Sequence, residues 1–222
     1  IFKEINLRKM SIDNLKSTIG KRGGAAAANK FSVYFTPPKQ SLINKNPTAL
    51  IGALLSGGGI GALINDPRDI SLLCENVTLP GRQISTIDYG HDKEMTRKQP
   101  YGAIDEEVSM TFMLTNDMYI KTVFDDWMGC IYDSESYRVG YKKDFSTDVV
   151  IQQLNHKELP VYGVKLINAF PTTVAGITMD NNSENTIQKL TVTFSYDKYI
   201  QEDALSSTLS AVTGAASLLT NI

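Results

Sequence analysis

The stretch QKLTVTFSYDKY, residues 188–199, decides the fold. Its side chains alternate without a break. Leu190, Val192, Phe194 and Tyr196 fall on one face, and Lys189, Thr191, Thr193, Ser195 and Asp197 on the other. A period of two with β-branched and aromatic residues predicts a strand with one buried and one wet face. A second stretch, DEEVSMTFML at 105–114, repeats the arrangement. There Val108, Met110, Phe112 and Leu114 point inward, while Glu107, Ser109 and Thr111 point outward. Together the two predict a sheet whose outer surface is rich in hydroxyls.

Upstream and downstream of this pair the pattern stays mostly β. Strands are expected at 30–35, where Phe31, Val33 and Phe35 alternate before Pro37-Pro38, and at 71–78, ended by Leu79-Pro80-Gly81. Two more are expected at 147–154 and 159–169 around a turn at 155–158, with a long loop at 168–185. Residues 83–91 and 105–114 read as two arms of one long hairpin. Its polar tip, 92–102, carries Lys93, Arg97, Lys98 and Pro100, residues that blunt a strand edge. The clearest helix is 117–132, capped by Asn116 or Asp117, with Ile120, Val123, Phe124, Trp127 and Ile131 on one stripe. Phe112, Trp127 and Phe194 are the expected centre of the core.

A helix is also expected at 11–19 (Ile12, Leu15, Ile19), followed by a small-residue linker at 23–28. Residues 1–28 thus form an N-terminal arm, and Met10 looks like an alternative start that leaves 1–9 of uncertain status in the mature chain. Residues 41–64 form an apolar, glycine-rich insertion in the main β domain, 29–199. Its apolar run is short of the roughly 20 residues needed to span a bilayer, so it is expected to pack against a neighbouring subunit and not to enter a membrane. Residues 200–222 form a C-terminal extension with a helical pattern over 203–222.

Composition narrows the function. A formal net charge of -2 lacks the basic excess by which nucleic-acid binders neutralise phosphates. Cys74 and Cys130 are too few and too far apart for a disulfide framework or a zinc site, and read as buried thiols in a reducing compartment. The two histidines, His91 and His156, stand in no motif. SGGGIG at 56–61 lacks the Gly-Lys-Ser/Thr end of a phosphate-binding loop, and no nucleophile elbow occurs. Asp125-Asp126 and Asp105-Glu106-Glu107 are read as solvated charges. No catalytic, cofactor or metal site is expected, and the chain reads as a structural protein and not an enzyme.

Four strings in order carry a resemblance: NKFSVYF at 29–35, CENVTLPGR at 74–82, VFDDWMG at 123–129, and AFPTTVAGITMDNNSENTIQKLTVTFSYDKY at 169–199. Their order and spacing resemble the tail tube proteins of T4-like contractile phages over about 29–199. The resemblance implies a β-sandwich or split barrel with one flanking helix, a long hairpin and terminal helical extensions. It further implies hexameric rings stacked into a tube that conducts DNA without gripping it, in contact with sheath and baseplate proteins. Such a protein is assembled in the host cytoplasm and ends in the virion tail. On that reading Glu107, Ser109, Thr111, Lys189, Thr191 and Thr193 face the lumen, and Lys93, Arg97 and Lys98 reach the next ring. The insertion and the C-terminal extension also fit a tube initiator at the baseplate junction. Type VI secretion tube proteins share the resemblance more distantly.

Overall fold

The computed structural model describes residues 12–38, 67–90, 95–182 and 186–202. Seven strands form one antiparallel sheet: β1 (Phe31–Tyr34), β2 (Cys74–Val77), β5 (Val108–Met113), β8 (Thr147–Leu154), β9 (Pro160–Val174), β10 (Lys189–Ser195) and β11 (Lys198–Glu202). The order is β1-β8-β9-β10-β5-β2, and β11 pairs with β9 as well. Two ribbons stand apart from it: β3 (Arg82–Tyr89) with β4 (Arg97–Asp105), and the short pair β6 (Tyr132–Asp133) with β7 (Arg138–Val139). The helices are α1 (Ile12–Lys21), α2 (Pro67–Leu72), α3 (Tyr119–Ile131) and α4 (Lys142–Phe145). The fold is mainly β with a flanking helix, as expected.

Fifteen-residue β9 is the axis of the sheet. Its first part pairs with β8 on one edge and β11 on the other, whereas its last residues pair with β10. Pro171 marks the change. It has no N–H to give the ladder, and the register slips between Thr193 and Phe194, opposite it. The Thr172 hydroxyl donates to the Thr193 carbonyl at 3.2 Å, supplying a local bond where the ladder is irregular.

Both halves of the sheet and α3 share one core. Val149, Ile151, Val164 and Leu166 come from the first half, and Val108, Met110, Phe112, Leu190, Val192 and Phe194 from the second. Ile120, Val123, Phe124 and Trp127 are the buried stripe of α3. At the centre, Phe124 stacks on Trp127 at 6.0 Å and 6°, with Phe194 edge-on at 5.9 and 6.0 Å. Each such ring removes apolar area worth about 2–3 kcal/mol from water. The Trp127 indole N–H donates to the Phe145 carbonyl at 2.7 Å, tying α4 to this core.

Several expectations need correction. The segment 71–78 opens as the end of α2, and only Cys74–Val77 is strand. The 188–199 strand breaks after Ser195 and resumes as β11, which runs on to Glu202. The loop expected from 168 starts later, because β9 continues to Val174. The cap of α3 is Met118, in the left-handed region at φ 54 and without a side-chain cap bond. Asp117 still acts there, accepting the Tyr119 N–H at 3.3 Å. The α1 stripe exists but is exposed, with Ile12 at 72%. Neither cysteine is in a disulfide, and both are half-buried rather than buried. The insertion at 41–64, Lys93, His91, residues 1–9 and the helix expected at 203–222 lie outside the described residues.

Candidate functional site: a hydroxyl face and a projecting ribbon

Strand β5 pairs antiparallel with β10, which sets Thr111 opposite Thr191 and Ser109 opposite Thr193. Alternation buries Val108, Met110, Phe112, Leu190, Val192 and Phe194 completely. It therefore sends the four hydroxyl residues to the other face, where they are half-buried. The Thr111 and Thr191 hydroxyls meet at 3.3 Å. Thr173 of β9, opposite Thr193, extends the face by one strand. Lys189 is the one cation among the six residues expected here, and it pairs with Glu75 of β2 at 2.6 Å. Glu107 is exposed just ahead of β5. The structure thus brings Ser109, Thr111, Lys189, Thr191 and Thr193 together on one surface. Sequence reasoning missed Glu75 and Thr173, because only strand register reveals their places.

The hairpin differs from its expected form. Its second arm is β4, not β5: Arg82 pairs with Asp105 and Tyr89 with Arg97. Arg97 and Lys98 are therefore strand residues opposite Tyr89 and Asp88. The alternating pattern of 105–114 hid the break at Glu106-Glu107, where the chain leaves the ribbon and enters the sheet. Pro100 is tolerated within β4 because the ribbon has only two strands and a register shift at Ser85/Thr86, the latter facing Pro100. Ile84, Ile87, Tyr89, Tyr101 and Ile104 are all more than half exposed.

At its root the ribbon is fastened. The Arg82 guanidinium donates to both Asp105 oxygens at 2.7 and 3.1 Å, which holds the carboxyl below its usual range. Arg82 also lies over the Tyr199 ring at 4.4 Å. The Tyr196 hydroxyl donates to the Glu106 carbonyl at 2.5 Å, and burial pushes its phenol up to about 12.

Little here suggests chemistry. His156 lies exposed on the β8–β9 turn, 3.2 Å from the Ala25 carbonyl. Asp125 forms an ion pair with Lys121. A cleft of about 600 Å³ opens between β1 and β2, lined by Phe31, Cys74, Asn76 and Gln152 among others. Burial pushes the Cys74 thiol there to about 12, far from a thiolate at neutral pH. Among the described residues no group of three metal-ligating side chains occurs, and no helix is long and apolar enough to cross a membrane.

The family model described as phage tail tube protein matches residues 26–202. The chain belongs to that family. Phage tail tube proteins are structural, and this member is a non-enzymatic component of the virion tail. Its fold is similar to a chain in the anti-feeding prophage baseplate (TM-score 0.54, 15% identity, covering 81% of this chain and 97% of that one). It is also similar to a chain in the sheath–tube complex of the PVC extracellular contractile injection system in its extended state (TM-score 0.52, 16% identity, 81% and 92%). A third similar chain comes from the anti-feeding prophage tube-terminating cap (TM-score 0.53, 14% identity, 81% and 91%). No curated protein sequence is detectably similar.

Proposed function

We propose that this tail tube protein assembles into hexameric rings that stack as the tube of a contractile tail, with the β5–β10 hydroxyl face lining a channel for DNA. The observation that carries this reading is the face itself. Its hydroxyls are uncharged, and Lys189 is neutralised by Glu75. DNA is retained by cations on its phosphates, so this wall is wet without being adhesive. The α3 side is directed away from that face, toward a surrounding sheath. In this assembly the β3–β4 ribbon reaches the adjacent ring, where Arg97 and Lys98 meet acidic groups. Similar chains in a baseplate and in a sheath–tube complex support sheath and baseplate proteins as partners.

The test is to purify the full chain, seed it with baseplates and image it. Rings and tubes are expected. A variant that replaces residues 85–102 with a short glycine turn, keeping Arg82 and Asp105, should form rings that do not stack. A chain that stays monomeric at high concentration with baseplates present overturns the reading. Copy number per virion separates a main tube subunit, present in many rings, from an initiator present in one.

A further inference from the structure

An antiparallel ribbon of two strands is marginal by itself in water. In this chain β3 and β4 pack chiefly on each other, and their apolar side chains stay exposed along the length. Packing against the body therefore does not fix where the ribbon points. Its root does. The chain enters at Gly81 and leaves at Glu106, and the Glu106 N–H donates to the Gly81 carbonyl at 3.0 Å. One residue further out, Arg82 and Asp105 close the forked ion pair.

Two tyrosines then join this root to the sheet, Tyr196 in the β10–β11 break and Tyr199 in β11. Tyr196 bonds the Glu106 carbonyl, and Tyr199 supports the Arg82 guanidinium. The two rings meet edge to face at 6.4 Å and 71°. Tyr199 is itself held in the sheet opposite Leu166. We infer that Arg82, Asp105, Tyr196 and Tyr199 form a clamp that sets the direction of the ribbon.

The lever arm explains why direction matters. Eight residues of β3 extend about 26 Å at ~3.3 Å each, so a tilt of about 10° at the root moves the far end by about 4–5 Å. Such a displacement exceeds hydrogen-bonding tolerance at a docking surface. The Arg82–Asp105 pair is partly exposed, at 44% and 22% of side-chain area, so it adds little to folding. Its contribution lies in orientation. This inference rests on the proposed role of the ribbon in stacking.

The experiment measures orientation and stacking separately. Nitroxide labels at Met95→Cys and Lys157→Cys, in a Cys74→Ala/Cys130→Ala background, report the ribbon-to-body distance by pulsed dipolar spectroscopy. The full chain is compared with Tyr199→Phe, which keeps the ring, Tyr199→Leu, which removes it, and Tyr196→Phe, which removes only the hydroxyl. Wild type and Tyr199→Phe should give one narrow distribution. Tyr199→Leu and Tyr196→Phe should broaden it about twofold and slow tube growth, and Tyr196→Phe, which keeps its ring on the core, should leave the thermal midpoint of the body nearly unchanged. Equal widths in all four overturn the clamp. Broadening with tube growth unchanged supports the clamp and refutes the stacking role. Should Tyr199→Leu not fold, Tyr196→Phe alone decides.

Discussion

Trp127 offers a quantitative test of the core. It is fully buried, stacked on Phe124, edge-on to Phe194, and hydrogen-bonded to the Phe145 carbonyl at 2.7 Å. Trp127→Ala opens a cavity worth roughly 3–5 kcal/mol and leaves that carbonyl without its donor, at about 1–3 kcal/mol more. A sum of about 4–8 kcal/mol approaches the whole stability of many domains, so this variant should be largely unfolded or barely folded at 37 °C. Trp127→Phe separates the two effects. It keeps an aromatic ring against Phe124 and removes the N–H, for an expected loss of about 2–3 kcal/mol. The assay is equilibrium urea unfolding followed by far-ultraviolet circular dichroism, at one fixed low concentration so that ring formation does not add stability. The midpoint should fall with an unchanged slope. A loss below about 1 kcal/mol for Trp127→Ala would refute the placement of this side chain at the centre of the core.

Three further outcomes follow from particular contacts. Gly140→Ala would set its Cβ 2.6 Å from the Cys130 carbonyl oxygen, a backbone atom that cannot swing aside; thermal melting should show a loss of about 1–3 kcal/mol. Cys74, pushed to about 12 by burial, should alkylate with iodoacetamide at pH 8 about 100-fold more slowly in the folded than in the unfolded chain, as read by peptide mass spectrometry; equal rates would refute its burial. Thr111→Arg/Thr191→Arg places cations on the hydroxyl face, so assembled tubes should retain DNA at low salt and release it steeply as salt rises. Filter retention checks this, and wild-type tubes should show neither effect.

How much was legible in the sequence depends on the range of the signal. The alternation of β5 and β10 and the stripe of α3 are local periodicities, and they located both the buried core and the hydroxyl face. The same periodicity misled where it ran on through a break. Residues 105–114 read as one arm because Asp105 and Val108 fit one pattern, although the chain changes sheets at Glu106-Glu107. The 188–199 strand hid its corner at Tyr196-Asp197 in the same way. There the Asp197 carboxylate accepts the Asn168 amide at 2.8 Å and pairs with Lys142, contacts between residues far apart in the chain. The root of the ribbon was invisible for that reason: Arg82 meets Tyr199 across more than a hundred residues, and no spacing announces it. Met118 was missed as the cap of α3 because a left-handed methionine is uncommon and the polar residues beside it offered better caps.

The central claim is that the hydroxyl face of β5 and β10 lines a channel inside a closed ring. A cryo-electron microscopy reconstruction of rings or tubes assembled from the full chain tests it most directly. Six copies are expected around an open channel, with Ser109, Thr111, Thr191 and Thr193 on its wall and α3 on the outside. A reconstruction with α3 toward the axis, or with the β5–β10 face on the outer surface, would contradict it.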